Sequence, residues 1–236
     1  MRVVVTRPEH SAARTADRLK ALGHEPMLLP LTEAAHDHAA VADGLAKPHS
    51  ALILTSAEAV RAIIGGAESL ADIASEKVYA VGEATAQAAR QAGFADIRTG
   101  PGTGAGLAEM IAAEKSHLAK PLLYLAGDPR SPELEDALER AGIAIMTALI
   151  YRMVPIDYGI DTVGKILLSP QADAVMLYSR RNAVIFLELA EKLGAEMASL
   201  KILCLSANVA AAIPPQFQNN VRVAKSPDED GLFALL

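Results

Sequence analysis

Six short apolar runs along the chain each give way to a small or polar turn and then to a helical pattern, and the six form two sets of three. The first set is Val3-Val4-Val5-Thr6-Arg7-Pro8, Leu52-Ile53-Leu54-Thr55-Ser56-Ala57 and Val78-Tyr79-Ala80-Val81-Gly82-Glu83. Its echo is Leu122-Leu123-Tyr124-Leu125-Ala126-Gly127, Val175-Met176-Leu177-Tyr178-Ser179-Arg180 and Ile202-Leu203-Cys204-Leu205-Ser206-Ala207. Gly23 and Gly142, Ser56 and Ser179, and Gly82 and Ser206 are each about 120 residues apart, the self-similarity of a duplicated unit. Between the runs lie helical stretches at 11–22, 57–64, 84–92, 133–141 and 182–193. That alternation predicts parallel strands with crossover helices, an α/β fold. In the first stretch Ala12, Thr15, Ala16, Leu19 and Leu22 recur at helical steps and Gly23 is placed to end the helix. Leu134, Ala137, Leu138 and Ala141 followed by Gly142 repeat the device.

Two segments break the rhythm, Pro26-Met27-Leu28-Leu29-Pro30-Leu31 and Thr147 through Pro155. Proline at their ends disfavours helix and marks a stiff, extended crossing. Each follows the first unit of its set, so the pair reads as matched hinges.

Length and charge narrow the picture. The 236 residues suffice for two small domains or one large one. At 51% hydrophobic and 21% charged the chain is globular. A net charge of −6, with no block of Lys and Arg, argues against a nucleic-acid partner. The one cysteine, Cys204, lies in an apolar run and reads as a small buried hydrophobe in a reducing compartment. No signal-like N-terminus and no membrane-length apolar stretch are visible, so a soluble cytoplasmic protein is expected.

Some tempting motifs fail on their spacing. Gly100-Pro101-Gly102-Thr103-Gly104-Ala105-Gly106 lacks the Lys-Ser/Thr pair of a phosphate loop and the G-x-G-x-x-G spacing, and it follows Asp96-Ile97-Arg98 rather than a strong strand. It reads as a loop before a capped helix. His36-Asp37-His38 has no Cys or Glu at ligand spacing and reads as a solvated loop, so no metal is expected. Ser56 lacks the G-x-S-x-G elbow of a hydrolase nucleophile and reads as an N-cap.

The junctions themselves carry a more consistent chemistry. Thr6, Thr55, Ser56, Thr85, Ser131, Ser179, Ser206 and Asn208 cluster where strands feed helices, and each could cap a helix. Arg7, Arg130, Arg180 and Arg181 lie beside them. Free backbone N–H groups at helix starts, joined by guanidinium forks, suit a ligand bearing several carboxylates or phosphates.

Taken in order, several motifs resemble uroporphyrinogen-III synthase: Thr6-Arg7-Pro8, Pro30-Leu31, Leu54-Thr55-Ser56-Ala57-x-x-Val60 and Ala80-Val81-Gly82-x-x-Thr85-Ala86 closing at Gly93. Leu125-Ala126-Gly127-Asp128-x-Arg130, Tyr151, Tyr178-Ser179 and the tail from Pro227 to Leu236 continue the resemblance over nearly the whole chain. It implies two parallel-sheet, three-layer (flavodoxin-like) α/β/α domains joined by a two-stranded hinge. Domain one would comprise 1–31 plus 154–236 and domain two 35–148, with hinge strands 26–34 and 147–155. The implied reaction cyclises hydroxymethylbilane to uroporphyrinogen III in haem biosynthesis, losing water and inverting the last pyrrole ring, with no cofactor; two flexibly joined lobes suggest a monomer. Folding the substrate correctly would matter more than acid–base machinery.

Tyr151 matches the family's hinge tyrosine, which implies either a proton donor to the departing hydroxyl or a residue packing at the hinge. The implied substrate-binding residues are Thr6, Arg7, Thr55, Ser56, Gly82, Thr85, Gly127, Arg130, Ser179, Arg180, Ser206 and Asn208. Each domain would then contribute three turns to one cleft. The sixth unit departs from the family pattern, with Ser206-Ala207-Asn208-Val209 where a Gly and a Thr pair are usual, and Tyr178-Ser179-Arg180-Arg181 is also atypical. The rival reading is a non-catalytic, two-lobed module that binds a small polyanion.

Overall fold

Runs such as Val3-Val4-Val5 are too apolar for a surface and too short for buried helices, and each becomes a strand covered on both faces. A computed structural model describes residues 1–194 and 199–236. Its first elements are β1 (Arg2–Val5), α1 (Glu9–Ala21), β2 (Glu25–Leu28), β3 (Thr32–His36), α2 (His38–Leu45), β4 (Leu52–Leu54), α3 (Ala57–Gly66), α4 (Leu70–Ile73), β5 (Lys77–Ala80), α5 (Glu83–Gln91), β6 (Asp96–Thr99) and α6 (Gly104–Ala113). There follow β7 (Leu122–Asp128), α7 (Glu133–Arg140), β8 (Ile145–Pro155), α8 (Ile160–Leu168), β9 (Ala174–Leu177), α9 (Arg180–Leu193), β10 (Lys201–Cys204), α10 (Ala207–Ala210), β11 (Val221–Val223) and α11 (Glu229–Phe233). None of the helices described is long and apolar enough to cross a membrane.

The chain divides into two compact units, Met1–Glu33 with Val154–Leu236, and Ala34–Met153. The first holds a parallel sheet of order β2-β1-β9-β10-β11. Successive residues face opposite sides. Val4, Val175, Leu177, Ile202 and Cys204 enter one core, while Val3, Val5, Ala174, Met176 and Leu203 enter the other. Burial pushes the Cys204 thiol up to about 11, as a small core residue requires.

The second unit holds the sheet β3-β8-β7-β4-β5-β6, parallel from β8 through β6. Leu52, Leu54, Val78, Leu123 and Leu125 fill one side, and Ile53, Tyr79, Leu122, Tyr124 and Ala126 fill the other. Read from β7, its parallel strands run β8-β7-β4-β5-β6, the same flavodoxin-like order as the first sheet. The duplicated pattern is therefore realised in space with partners exchanged: β1 and β2 lie with strands of the second set, and β7 and β8 with strands of the first.

Residues 26–28 lie inside β2, where Pro26 is registered with Val3. Proline is tolerated because β2 is an edge strand. The chain passes between units within β3 and within β8, which are neighbours in the second sheet. Residues 96–99, too polar to read as a strong strand, form the edge strand β6 against β5, where one ladder suffices. Gly23 and Gly142 end α1 and α7 in the left-handed region, at φ 78° and 62°. In each case the following residue donates back to the helix, His24 to Leu19 and Ile143 to Leu138.

Candidate active site

The carboxyl ends of parallel strands meet helix N-termini, so the geometry of those junctions decides what the fold can hold. In the second unit the decisive feature is a β-bulge. Ala126 is registered with Leu149 but Gly127 with Tyr151, leaving Ile150 as the extra residue on β8. Such a bulge re-aims the following side chain. Ile150 stays fully buried in the core and Tyr151, half-buried, is turned across Gly127. A Cβ on residue 127 would fall inside the Tyr151 ring, so only glycine lets the phenol lie there.

Tyr151 lines a cavity of about 280 Å³ together with Thr55, Ser56, Tyr124, Gly127, Arg130 and Ser131. Burial pushes its phenol pKa up, with the Ser56 side chain acting in the opposite sense. From an ordinary value of 10 this shift leaves the phenol protonated at neutral pH, where it can donate a hydrogen bond. The Thr55 hydroxyl lies 2.9 Å from that of Tyr124, whose own pKa is raised mainly by burial. Ser56 is the N-cap of α3, its Oγ accepting from the Glu58 N–H at 3.0 Å.

Arg130 is engaged by a neighbour. Its Nε and Nη2 donate to both carboxylate oxygens of Glu135, at 2.8 and 3.0 Å, and the Thr147 hydroxyl donates to the same carboxylate at 2.7 Å. Gly82 begins α5 with extended backbone, and Thr85 is buried in the first turn of that helix. Neither is among the cavity's lining residues.

In the first unit the candidate residues divide sharply. Thr6 is fully buried, and its hydroxyl donates to the Met176 carbonyl at 2.6 Å, tying β1 to β9. Arg7 lies 4.8 Å over the Tyr178 ring and donates to Glu229 at 2.8 Å. Burial pushes the Tyr178 phenol up to about 12, against the pull of Arg7. Glu229 also accepts from Arg18 at 2.9 Å, so α11 is tied to α1 through the same carboxylate. Ser179 caps α9, accepting from the Asn182 N–H at 3.1 Å, and Arg180 is exposed at the first position of that helix. Ser206 precedes the short α10 without capping it through its side chain, and Asn208 is exposed.

One group escapes the sequence reading. His36 and His38 do not sit in a solvated loop: His36 ends β3, Asp37 caps α2 by accepting from the Ala40 N–H at 2.9 Å, and His38 opens the helix. His36 Nε2 lies 2.7 Å from an oxygen of Glu58, and its ring meets Tyr151 edge-on at 6.5 Å between centroids. The acidic partner is far away in sequence, on the first turn of α3, so spacing around the histidines carries no trace of it. Among the described residues no three His, Cys, Asp or Glu side chains gather into a set that could hold a metal ion.

Comparison with known proteins bears on this arrangement. Over residues 13–234 the chain matches the family described as uroporphyrinogen-III synthase HemD. It is similar to the solved uroporphyrinogen-III synthetase from Helicobacter pylori, with a TM-score of 0.66, 18% identity, and coverage of 100% of this chain and 98% of that one. A mutant uroporphyrinogen III synthase from Thermus thermophilus is similar with a TM-score of 0.53, 19% identity, and coverage of 100% and 97%. No curated protein matches the chain significantly in sequence. At such identities the structural likeness speaks for the two-domain α/β fold, while the family match spans almost every element described above; the chain belongs to the uroporphyrinogen-III synthase family.

Proposed function

We propose that Tyr151 is the proton donor in the cyclisation of hydroxymethylbilane to uroporphyrinogen III. The family is one of cyclising lyases in haem biosynthesis. In the step assigned to Tyr151 the bond from the terminal methylene to its hydroxyl breaks, the phenol proton passes to the leaving oxygen, and water departs. The azafulvene cation left behind is attacked by the substrate's own pyrrole, fragmentation of the spiro product and reclosure invert the ring, and the proton lost from the closing pyrrole carbon as it regains aromaticity balances the one the phenol gave up. The reacting carbons all belong to the substrate, so holding it in a productive fold supplies much of the rate.

The observation that carries this reading is the bulge at Gly127, which turns the half-buried Tyr151 phenol into a cavity lined by hydroxyls. The substrate's acidic side chains find donors at helix starts. In the second unit these are α3 after Ser56, α5 after Gly82 and α7 after Arg130; taken by itself, the first unit has helix starts of the same kind at α9 after Ser179 and α10 after Ser206, beside Asn208. Arg180 offers charge at an exposed position, whereas Arg7 and Arg130 must share theirs with Glu229 and Glu135. Thr6, turned inward, would contribute backbone only.

Freshly generated hydroxymethylbilane incubated with the purified protein should give isomer III; isomer I alone, the product of spontaneous closure, would refute the activity. Tyr151→Phe should slow isomer III formation by about a hundredfold, the range of a positioned general acid. Unchanged turnover would remove the proton from Tyr151.

A further inference from the structure

Glu58 is a carboxylate in a place where a site for a polyanion should least tolerate one. It sits two residues after Ser56 and is only 8% exposed. Two neighbours answer its charge. Arg61, one helical turn on, donates to Oε2 from Nε at 2.9 Å and from Nη2 at 2.6 Å, and His36 Nε2 lies 2.7 Å from Oε1. A carboxylate oxygen can only accept, so the proton of that last bond resides on His36 Nε2, which sets the imidazole's tautomer and the plane of its ring.

That plane stands at 85° to the Tyr151 ring, the edge-to-face arrangement aromatic pairs favour. Tyr151 is thus bounded by the bare backbone of Gly127 and by an imidazole held from α3. We propose that Glu58, braced by Arg61, acts through His36 as a positioning set that fixes the orientation of Tyr151. The inference rests on the reading of Tyr151 as proton donor for its kinetic consequence, but not for its geometry. It also accounts for the carboxylate: paired in this way, Glu58 orients the donor without presenting a bare negative charge to an anionic substrate.

The test uses full-length protein labelled with 13Cζ-tyrosine, the Tyr151 resonance being the one absent from Tyr151→Phe. In His36→Ala and in Glu58→Gln that resonance should move while the resonance of Tyr158, in the other unit, stays in place. The kcat for isomer III should fall about tenfold, with KM changed by less than about twofold, the signature of a misplaced reacting group rather than lost binding. Glu58→Gln keeps the size of the side chain, so it decides the matter if His36→Ala fails to fold. An unmoved Tyr151 resonance in a folded variant overturns the positioning set. The two readings fail separately. Full turnover by Tyr151→Phe overturns the donor role, whereas a slow Tyr151→Phe beside wild-type kcat in both other variants overturns the positioning alone.

Discussion

At the scale of single residues, two glycines at strand ends look alike in sequence and differ in what they make room for. A Cβ at position 127 would occupy the same space as the Tyr151 ring, while one at position 82 would meet only the Gly102 backbone, its Cα at 3.2 Å. The second contact asks a neighbour to give by a few tenths of an ångström; the first evicts an aromatic side chain. Gly127→Ala should therefore destabilise the protein by about 1–3 kcal/mol, the range of overpacking, and lower isomer III turnover more than tenfold through displacement of Tyr151. Gly82→Ala should stay within about threefold of wild type, since a glycine with extended backbone does not depend on a left-handed conformation. Thermal melts and isomer III assays on the two variants check this; equal effects would mean that the room beside Gly127 is not what places Tyr151.

At the scale of elements, Glu135 joins α7 to β8 and to the turn that precedes the helix. Arg130 beside it is the main cause of a carboxyl pKa below the usual carboxylate range, with Thr147 adding to it. A folded-state pKa depressed in this way stabilises the protein fully above the ordinary value of 4.5, and the contribution is lost as pH falls toward the folded-state value. Glu135→Gln should therefore be less stable than wild type at neutral pH, by about 1 kcal/mol or less for so accessible a pair. The gap in urea midpoints should close in acid; a gap independent of pH would remove the ion pair from the account. This bond also marks where sequence reading stops. Buried strands, glycine-terminated helices and the caps at Ser56 and Ser179 were legible because each is local: an apolar run, a turn, a side chain beside its own backbone. Arg130 and Arg7 read as cations open to a ligand because Glu135 and Glu229 are assigned to them only by the folded chain. The bulge at Ile150 left no mark in the β8 residues, and His36 lacked a partner until α3 brought Glu58 to it.

At the scale of the whole molecule, the duplicated pattern marks the six apolar strands β1, β4, β5, β7, β9 and β10 but not which sheet each joins, because the parallel strands of both sheets run in the same order and β1–α1–β2 matches β7–α7–β8 element for element. The chain resolves this by pairing Val3, Val4 and Val5 with Ala174, Val175 and Met176, so the first sheet is built from segments at opposite ends of the sequence. Closing so long a loop is entropically costly and contributes nothing until the pairing forms. The second unit needs no such closure, since 34–153 is continuous and holds cores on both faces of its sheet. Residues 34–153 expressed alone should therefore give a dispersed amide spectrum and a cooperative thermal transition. Residues 154–236 alone should not, because without β1 and β2 the strand β9 is left as an edge and Val175 and Leu177 lose Val4, Met27 and Leu29 from their core. Supplying residues 1–33 as a separate peptide should restore protection of the β9 amides against hydrogen exchange. A folded 154–236 fragment, or β9 amides left unprotected in the presence of the peptide, would show that the first sheet does not depend on the returning strands.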